Sequence, residues 1–230
     1  MKFEKTEVYG IKNALRGMRN PMNSWNKSDS GVCKGGDDGI GCNHCSQQNK
    51  CKHPFDNEYK IGKKDMRLAQ QLIHAGSEHR KFMRQIFISV DITAPLYWWK
   101  EFDQYKIGTV TNSTSTMHKL AATPITLDCF ENDDYEEVRL GNLNPKFIIS
   151  YCEDLRLKYL ETQDKKYWKE LIRWLPESWL QTRTVTMTYE NLYIMVHQRK
   201  NHKLSEWSIS FINWVKTLPY TQDLIFIEEQ

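Results

Sequence analysis

"IFISVDITAPLYWWKEFDQYKIGTVTNSTSTMH", residues 86–118, runs through three textures in succession. Ile86, Ile88, Val90 and Ile92 fall on one side and Ser89 and Asp91 on the other side of an alternating run, the pattern of a half-buried strand. The segment "APLYWWKEFDQ" then reads as a helix that buries Tyr97, Trp98 and Phe102. After it come Thr109, Thr111, Asn112, Ser113, Thr114, Ser115 and Thr116, with almost nothing to pack. Small hydroxyl and amide groups let an anionic ligand approach closely, because they offer donors without bulk. A competing reading is a capped loop in which Thr114 or Ser115 starts a short helix.

Working outward, "KFEKTEVY" has strand character, and "GIKNALRGM" reads as a short helix stopped by "RNP". Residues 19–61 are rich in Gly, Asn, Asp, Ser and Lys and read as an insertion loop within a single domain of residues 1–230. "KKDMRLAQQLIHAG" places Met66, Ala69, Leu72 and Ile73 on one helical face, and Gly76 can end it. Towards the C-terminus, "FIISYCEDLRLKYLE" and "KKYWKELIRWL" read as helices before Pro176, and "TRTVTMTYE" as a short strand. "NLYIMVHQR" puts Leu192, Val196 and Arg199 on one face; "LSEWSISFINWV" does the same for Trp207, Phe211, Trp214 and Val215. Helices outside a few strands imply an α+β fold.

At 230 residues with 40% hydrophobic and 12% aromatic content, the chain can fill a sizeable core. A formal charge of +3 is too balanced for a nucleic-acid coat but leaves small anions open as ligands. "MKFEKTEVYG" has no apolar signal region and no stretch approaches a membrane span, so a cytoplasmic protein without membrane partners is expected. Cys33, Cys42, Cys45 and Cys51 crowd into one loop, with His44 and His53 as spare ligands. Without an export signal that crowding favours metal ligation over disulfides: a structural zinc, with an iron–sulfur cluster or a merely reduced loop as the alternatives.

The order of these features resembles the flavin-dependent thymidylate synthases. "AGSEH" brings His79 to a helix end, the strand runs into "APLYWW", and the polar stretch falls where that family carries its Arg-His-Arg signature. "IRWLP" supplies Arg173, Leu175 and Pro176, and "HQRKNHKLSEW" supplies Arg199 and His202. The signature position reads Gln104-Tyr105-Lys106 or Tyr105-Lys106-Ile107, the family's Asn-Glu becomes Asn112-Ser113, its next Ser is matched by Ser115, and its Arg becomes Met117. The resemblance implies a central antiparallel sheet flanked by helices, and FAD as cofactor, with NADPH and methylenetetrahydrofolate as co-substrates. It further implies a pyrimidine nucleotide such as dUMP as substrate and a homotetramer. By the same resemblance Glu101, Asn112, Ser113, Ser115, Arg173 and Arg199 bind substrate. His79, Lys106, Asn191 and His202 hold the cofactor, and Arg199 is catalytic.

Two function classes follow. One is a flavin-dependent transfer of a one-carbon unit to C5 of dUMP or a related nucleotide. The other is a non-catalytic nucleotide- or nucleic-acid-binding homologue with a structural zinc module. The zinc expectation is checked by elemental analysis of protein purified without added metal, which should find about one zinc per chain. Metal-free protein with all four loop thiols titratable in the native state would overturn it.

Overall fold

The computed structural model describes residues 1–33, 46, 59–132 and 146–227. In chain order the first elements are β1 (Lys2–Tyr9), α1 (Ile11–Met18), β2 (Gly31–Val32), β3 (Tyr59–Lys60), α2 (Lys63–His74), β4 (Phe87–Pro95) and α3 (Leu96–Phe102). There follow β5 (Val110–Ser113), α4 (Thr116–Lys119), α5 (Lys146–Thr162), α6 (Lys165–Trp174), β6 (Leu180–Thr188), α7 (Tyr189–Arg199), α8 (Ile212–Thr217) and α9 (Thr221–Leu224). The strands β1, β4, β6 and β5 lie side by side in that order, with β5 antiparallel to β6, so the α+β reading holds. The chain forms two compact units, one of residues 1–6 and 89–186, the other of residues 7–88 and 187–230. No helix among the described residues is long and apolar enough to cross a membrane.

In the first unit, β4 follows its sequence pattern: Val90, Ile92 and Ala94 are buried and Ser89, Asp91 and Thr93 half-buried. Pro95 precedes α3, whose first amides lack intrahelical acceptors. The backbone of the 177–179 segment takes them: Leu96 N donates to Trp179 O (3.0 Å) and Tyr97 N to Glu177 O (3.1 Å). The expected inward set of α3 needs one correction, since Trp99 is buried with Trp98 and Phe102 while Tyr97 is only half-buried. Trp99 is inside because its indole N–H donates to Gln181 O (2.9 Å), and its ring meets Trp98 edge-on at 4.8 Å and Phe102 at 5.4 Å.

A separate cluster of Leu120, Ile125, Phe130, Cys152, Leu155 and Leu171 joins the 120–130 segment to α5 and α6. Glu153 ties it down, receiving Arg156 through two nitrogens (2.7 and 2.5 Å) and the Ile125 amide (2.7 Å). The Arg156 hydrogen bonds hold the Glu153 carboxyl below its usual range. Burial pushes the Cys152 thiol up to about 11, so it stays protonated and inert at neutral pH.

The second unit is organised by a buried carboxylate. Asp65, with no exposed side chain, accepts from Arg19 Nε (2.6 Å) at the end of α1 and from the Ser28 hydroxyl (2.5 Å). One residue on, Asp29 caps α2 from outside the helix, accepting from the Lys64 (2.9 Å) and Asp65 (3.1 Å) amides. Gly62 permits this approach, because a Cβ there would lie 2.1 Å from the Asp29 carboxylate. Gly10, at φ +88°, is needed for the same reason: a Cβ would sit 2.2 Å from Gln85 O. Residues 19–33 are therefore ordered by contacts and not the loop expected from composition. They form 3-10 turns at Asn20–Met22 and Trp25–Lys27, then β2, which pairs antiparallel with β3.

The C-terminal segment of this unit buries Trp207, Phe211, Trp214 and Val215 as its periodicity requires. The helix there contains a π turn, Glu206–Phe211, which lets Trp207 and Phe211 meet edge-on at 5.1 Å. Tyr189, fully buried, donates to Pro219 O (2.6 Å), and burial raises its phenol well above the ordinary value.

Asp65→Ala is expected to cost about 3–5 kcal/mol in urea denaturation, since it strands Arg19 as an uncompensated buried charge. The double variant Arg19→Met, Asp65→Leu should lose far less, which a double-mutant comparison reads directly.

Candidate functional site

The polar signature stretch is the exposed edge of the sheet in the first unit. Asn112 and Ser113 stand on β5 opposite Thr184 and Arg183 of β6, and every residue of β5 is exposed. Ser115 caps α4, its hydroxyl accepting from the His118 amide (3.1 Å), so the capping interpretation of this residue is realised. Lys106 is exposed in the turn before β5, where Gly108 adopts φ +77° and the Thr109 hydroxyl donates to Tyr105 O. Glu101 is half-buried on α3. Arg173 is exposed in the last turn of α6 and pairs with Glu170 (2.8 Å).

Sequence reading missed the cation closest in register to this edge. Arg183 lies opposite Ser113 with its side chain 13% exposed, its Nη1 on Asp103 (2.6 Å), its Nε on Gln181 Oε1 (2.9 Å) and its guanidinium 4.2 Å from the Trp99 ring centre. Gln181 in turn donates to Thr114 O (2.9 Å), which links the arginine to the backbone of the signature stretch. The one available signal was the alternation of "TRTVT", which sets Arg183 on the face of Gln181 and Val185. On the neighbouring strand pair, Asp91 accepts from the Thr184 hydroxyl (2.6 Å) and pairs with Lys5 (3.1 Å); the Thr184 hydrogen bond chiefly holds its carboxyl below the ordinary value.

His79, Asn191, Arg199 and His202 all belong to the second unit, Asn191 and Arg199 on α7 and His202 just after it. His79 is exposed and precedes Arg80, whose guanidinium lies 4.6 Å from the Tyr193 ring centre. Glu190, 8% exposed, receives Arg84 through two nitrogens and stands 3.4 Å from Arg80 Nε. That nitrogen is buried and makes no hydrogen bond of good geometry. Asn191 serves the start of α7 in a capping box with Thr188: its Oδ1 accepts from the Thr188 amide (3.0 Å) and hydroxyl (2.7 Å), and its own amide donates to Thr188 Oγ1 (3.2 Å). Arg199 continues the buried Leu192 and Val196 stripe and places its guanidinium 5.0 Å from the Trp207 ring centre. His202 Nδ1 accepts from the Leu204 amide (3.2 Å), which puts the ring proton of a neutral His202 on Nε2. Arg80, Arg84 and Glu190 were not singled out by sequence; the Glu190 pairings join residues about a hundred positions apart.

Of the proposed metal ligands, Cys33 is half-buried next to β2. Cys42, Cys45 and Cys51 lie outside the described residues, as do His44 and His53. Among the described residues no three His, Cys, Asp or Glu side chains gather as a metal site.

The α+β fold is similar to that of solved flavin-dependent thymidylate synthases. Two solved structures of flavin-dependent thymidylate synthase ThyX from Helicobacter pylori, both with FAD and dUMP, share it. One superimposes with a TM-score of 0.64 at 16% identity over 98% of each chain. The other gives 0.65 at 16% identity, over 98% of this chain and 97% of that one. No protein-family model and no curated protein matches the sequence.

Arg183→Ala is expected to lower stability by about 1–3 kcal/mol, because it removes a charge-assisted hydrogen bond and a ring contact together. Amide exchange at residues 111–114 should quicken in parallel. Unchanged exchange would show that β5 holds its place without the arginine.

Proposed function

We propose that this chain is a flavin-dependent enzyme that transfers a one-carbon unit to C5 of dUMP or a related pyrimidine nucleotide. The observation that carries this reading is the match of its fold, end to end, to enzymes solved with FAD and dUMP. Coverage of that kind favours the enzyme over the non-catalytic homologue.

The side chains present fit both ligands. For an anionic dinucleotide cofactor, exposed His79 supplies a donor in the second unit, beside the Arg80 guanidinium that lies over the Tyr193 ring. Lys106 is an exposed cation of the signature stretch. As a point charge it cannot reproduce an arginine's planar fork, so the cofactor is held differently from the Arg-His-Arg pattern. Asn191 contributes by fixing the start of α7 through its capping box, and His202 by offering an Nε2–H donor. Bound flavin supplies the hydride chemistry, with NADPH and methylenetetrahydrofolate as co-substrates.

For the nucleotide, Asn112, Ser113 and Ser115 offer amide and hydroxyl groups without bulk, with Glu101 and Arg173 as further contacts. Arg199 is the catalytic residue in this reading. Its delocalised cation, oriented against Trp207, stabilises negative charge on the pyrimidine as C5 becomes nucleophilic. A fixed cation lowers that barrier without reorganising during the reaction.

Purified protein is expected to carry the visible absorbance of flavin. With dUMP as substrate, Arg199→Lys should lower turnover about 100-fold while the melting temperature changes little, since a lysine loses the fork but keeps the charge. Wild-type turnover in that variant, or protein that neither binds flavin nor turns over dUMP, would overturn the reading.

A further inference from the structure

Gln181, 7% exposed, is held at three atoms. Its main-chain oxygen accepts from the Trp99 indole (2.9 Å), its Oε1 accepts from Arg183 Nε (2.9 Å), and its Nε2 donates to Thr114 O (2.9 Å). Chemistry dictates which end of the amide faces which neighbour. A guanidinium carries donors alone, so the Gln181 oxygen must turn to Arg183, and the NH2 is left for the Thr114 carbonyl, which can only accept. Arg183 is itself fixed, with Nη1 on Asp103 (2.6 Å) just past α3 and its guanidinium 4.2 Å from the Trp99 ring centre.

Among the described residues β5 is the last strand of its sheet, paired with β6. Its ladder ends with Ser113 opposite Arg183, and past that register Thr114 N still donates to Thr182 O (2.9 Å). Gln181 takes the carbonyl of the same residue, so Thr114 is held at both of its backbone polar groups although it is exposed. Ser113 and Ser115 stand on either side of it, and Ser115 then opens α4 by accepting from the His118 amide. The end of a short, exposed edge strand opens easily, and a buried amide beneath it supplies a constraint that the ladder lacks.

We infer that Gln181, oriented by Arg183, is a positioning residue for the nucleotide: it fixes Thr114 and with it the places of Ser113 and Ser115. The inference rests on the proposed function, in which Asn112, Ser113 and Ser115 meet the substrate. Gln181 acts through Thr114 and not on the reacting atoms. Contacts placed in this way hold the nucleotide alike before and during the reaction, so their loss raises KM more than it lowers kcat.

Gln181→Glu separates the two links. The introduced carboxylate still accepts from Arg183 Nε, now as an ion pair, but it confronts the Thr114 carbonyl with a second acceptor. The full-length variant and wild type are compared by calorimetric titration with dUMP, by steady-state turnover and by amide exchange at Thr114. The variant is expected to keep its circular dichroism and melting temperature, to exchange faster at Thr114 and to bind dUMP about tenfold more weakly. KM should rise by about the same factor, with kcat changing less than about twofold. Faster exchange with dUMP affinity and KM as in wild type would make Gln181 a purely structural residue and overturn the inference, as would a loss of kcat at unchanged KM. Should Gln181→Glu fail to fold, Gln181→Met removes the donor without adding a charge and decides by the same measurements, with a smaller rise in KM expected. Wild-type protein that neither binds nor turns over dUMP defeats the proposed function and this inference together; wild-type binding matched by the variant defeats this inference alone.

Discussion

A carboxylate with no access to water must be compensated, and Asp65 shows how much structure that requirement can recruit. Its partners come from the end of α1 and from residue 28, so the helix, the turns and α2 are held by one charge. The adjoining Asp29 satisfies the orphan amides at the start of α2, leaving that helix's exposed side chains free of the capping task.

The first unit solves a different problem, that of an exposed sheet edge. Edge strands invite unwanted pairing, and β5 is short, with Asn and Ser among its four residues. The small groups that make it a poor packing surface are those that make it a good approach for a ligand. Behind it, Trp99, Arg183 and Gln181 form a chain of ring contact and hydrogen bonds that ends on the backbone of Thr114.

Arginines in the second unit are ordered by aromatic faces as well as by acids. Arg80 lies over Tyr193 and near Glu190, and Arg199 over Trp207. A guanidinium held over a ring keeps its charge and loses conformational freedom in advance, which raises its value for a later anionic ligand.

Periodicity alone determined most of the elements. The alternation through Val90 and Ile92, the Met66, Ala69 and Ile73 face, and the spacing of Trp207, Phe211 and Trp214 each reflect a local repeat that burial then satisfies. The order of His79, the polar stretch, Arg173 and Arg199 along the chain was likewise enough to suggest the fold. What tertiary structure alone decided are the pairings between distant residues: Arg19 with Asp65, Arg84 with Glu190, Arg183 with Asp103 and Trp99. No local pattern encodes these, because an ion pair or a ring contact depends on where the folded backbone brings two side chains. For the same reason composition made residues 19–33 look like loop, although a buried carboxylate more than thirty positions onward draws Arg19, Ser28 and Ser30 into order.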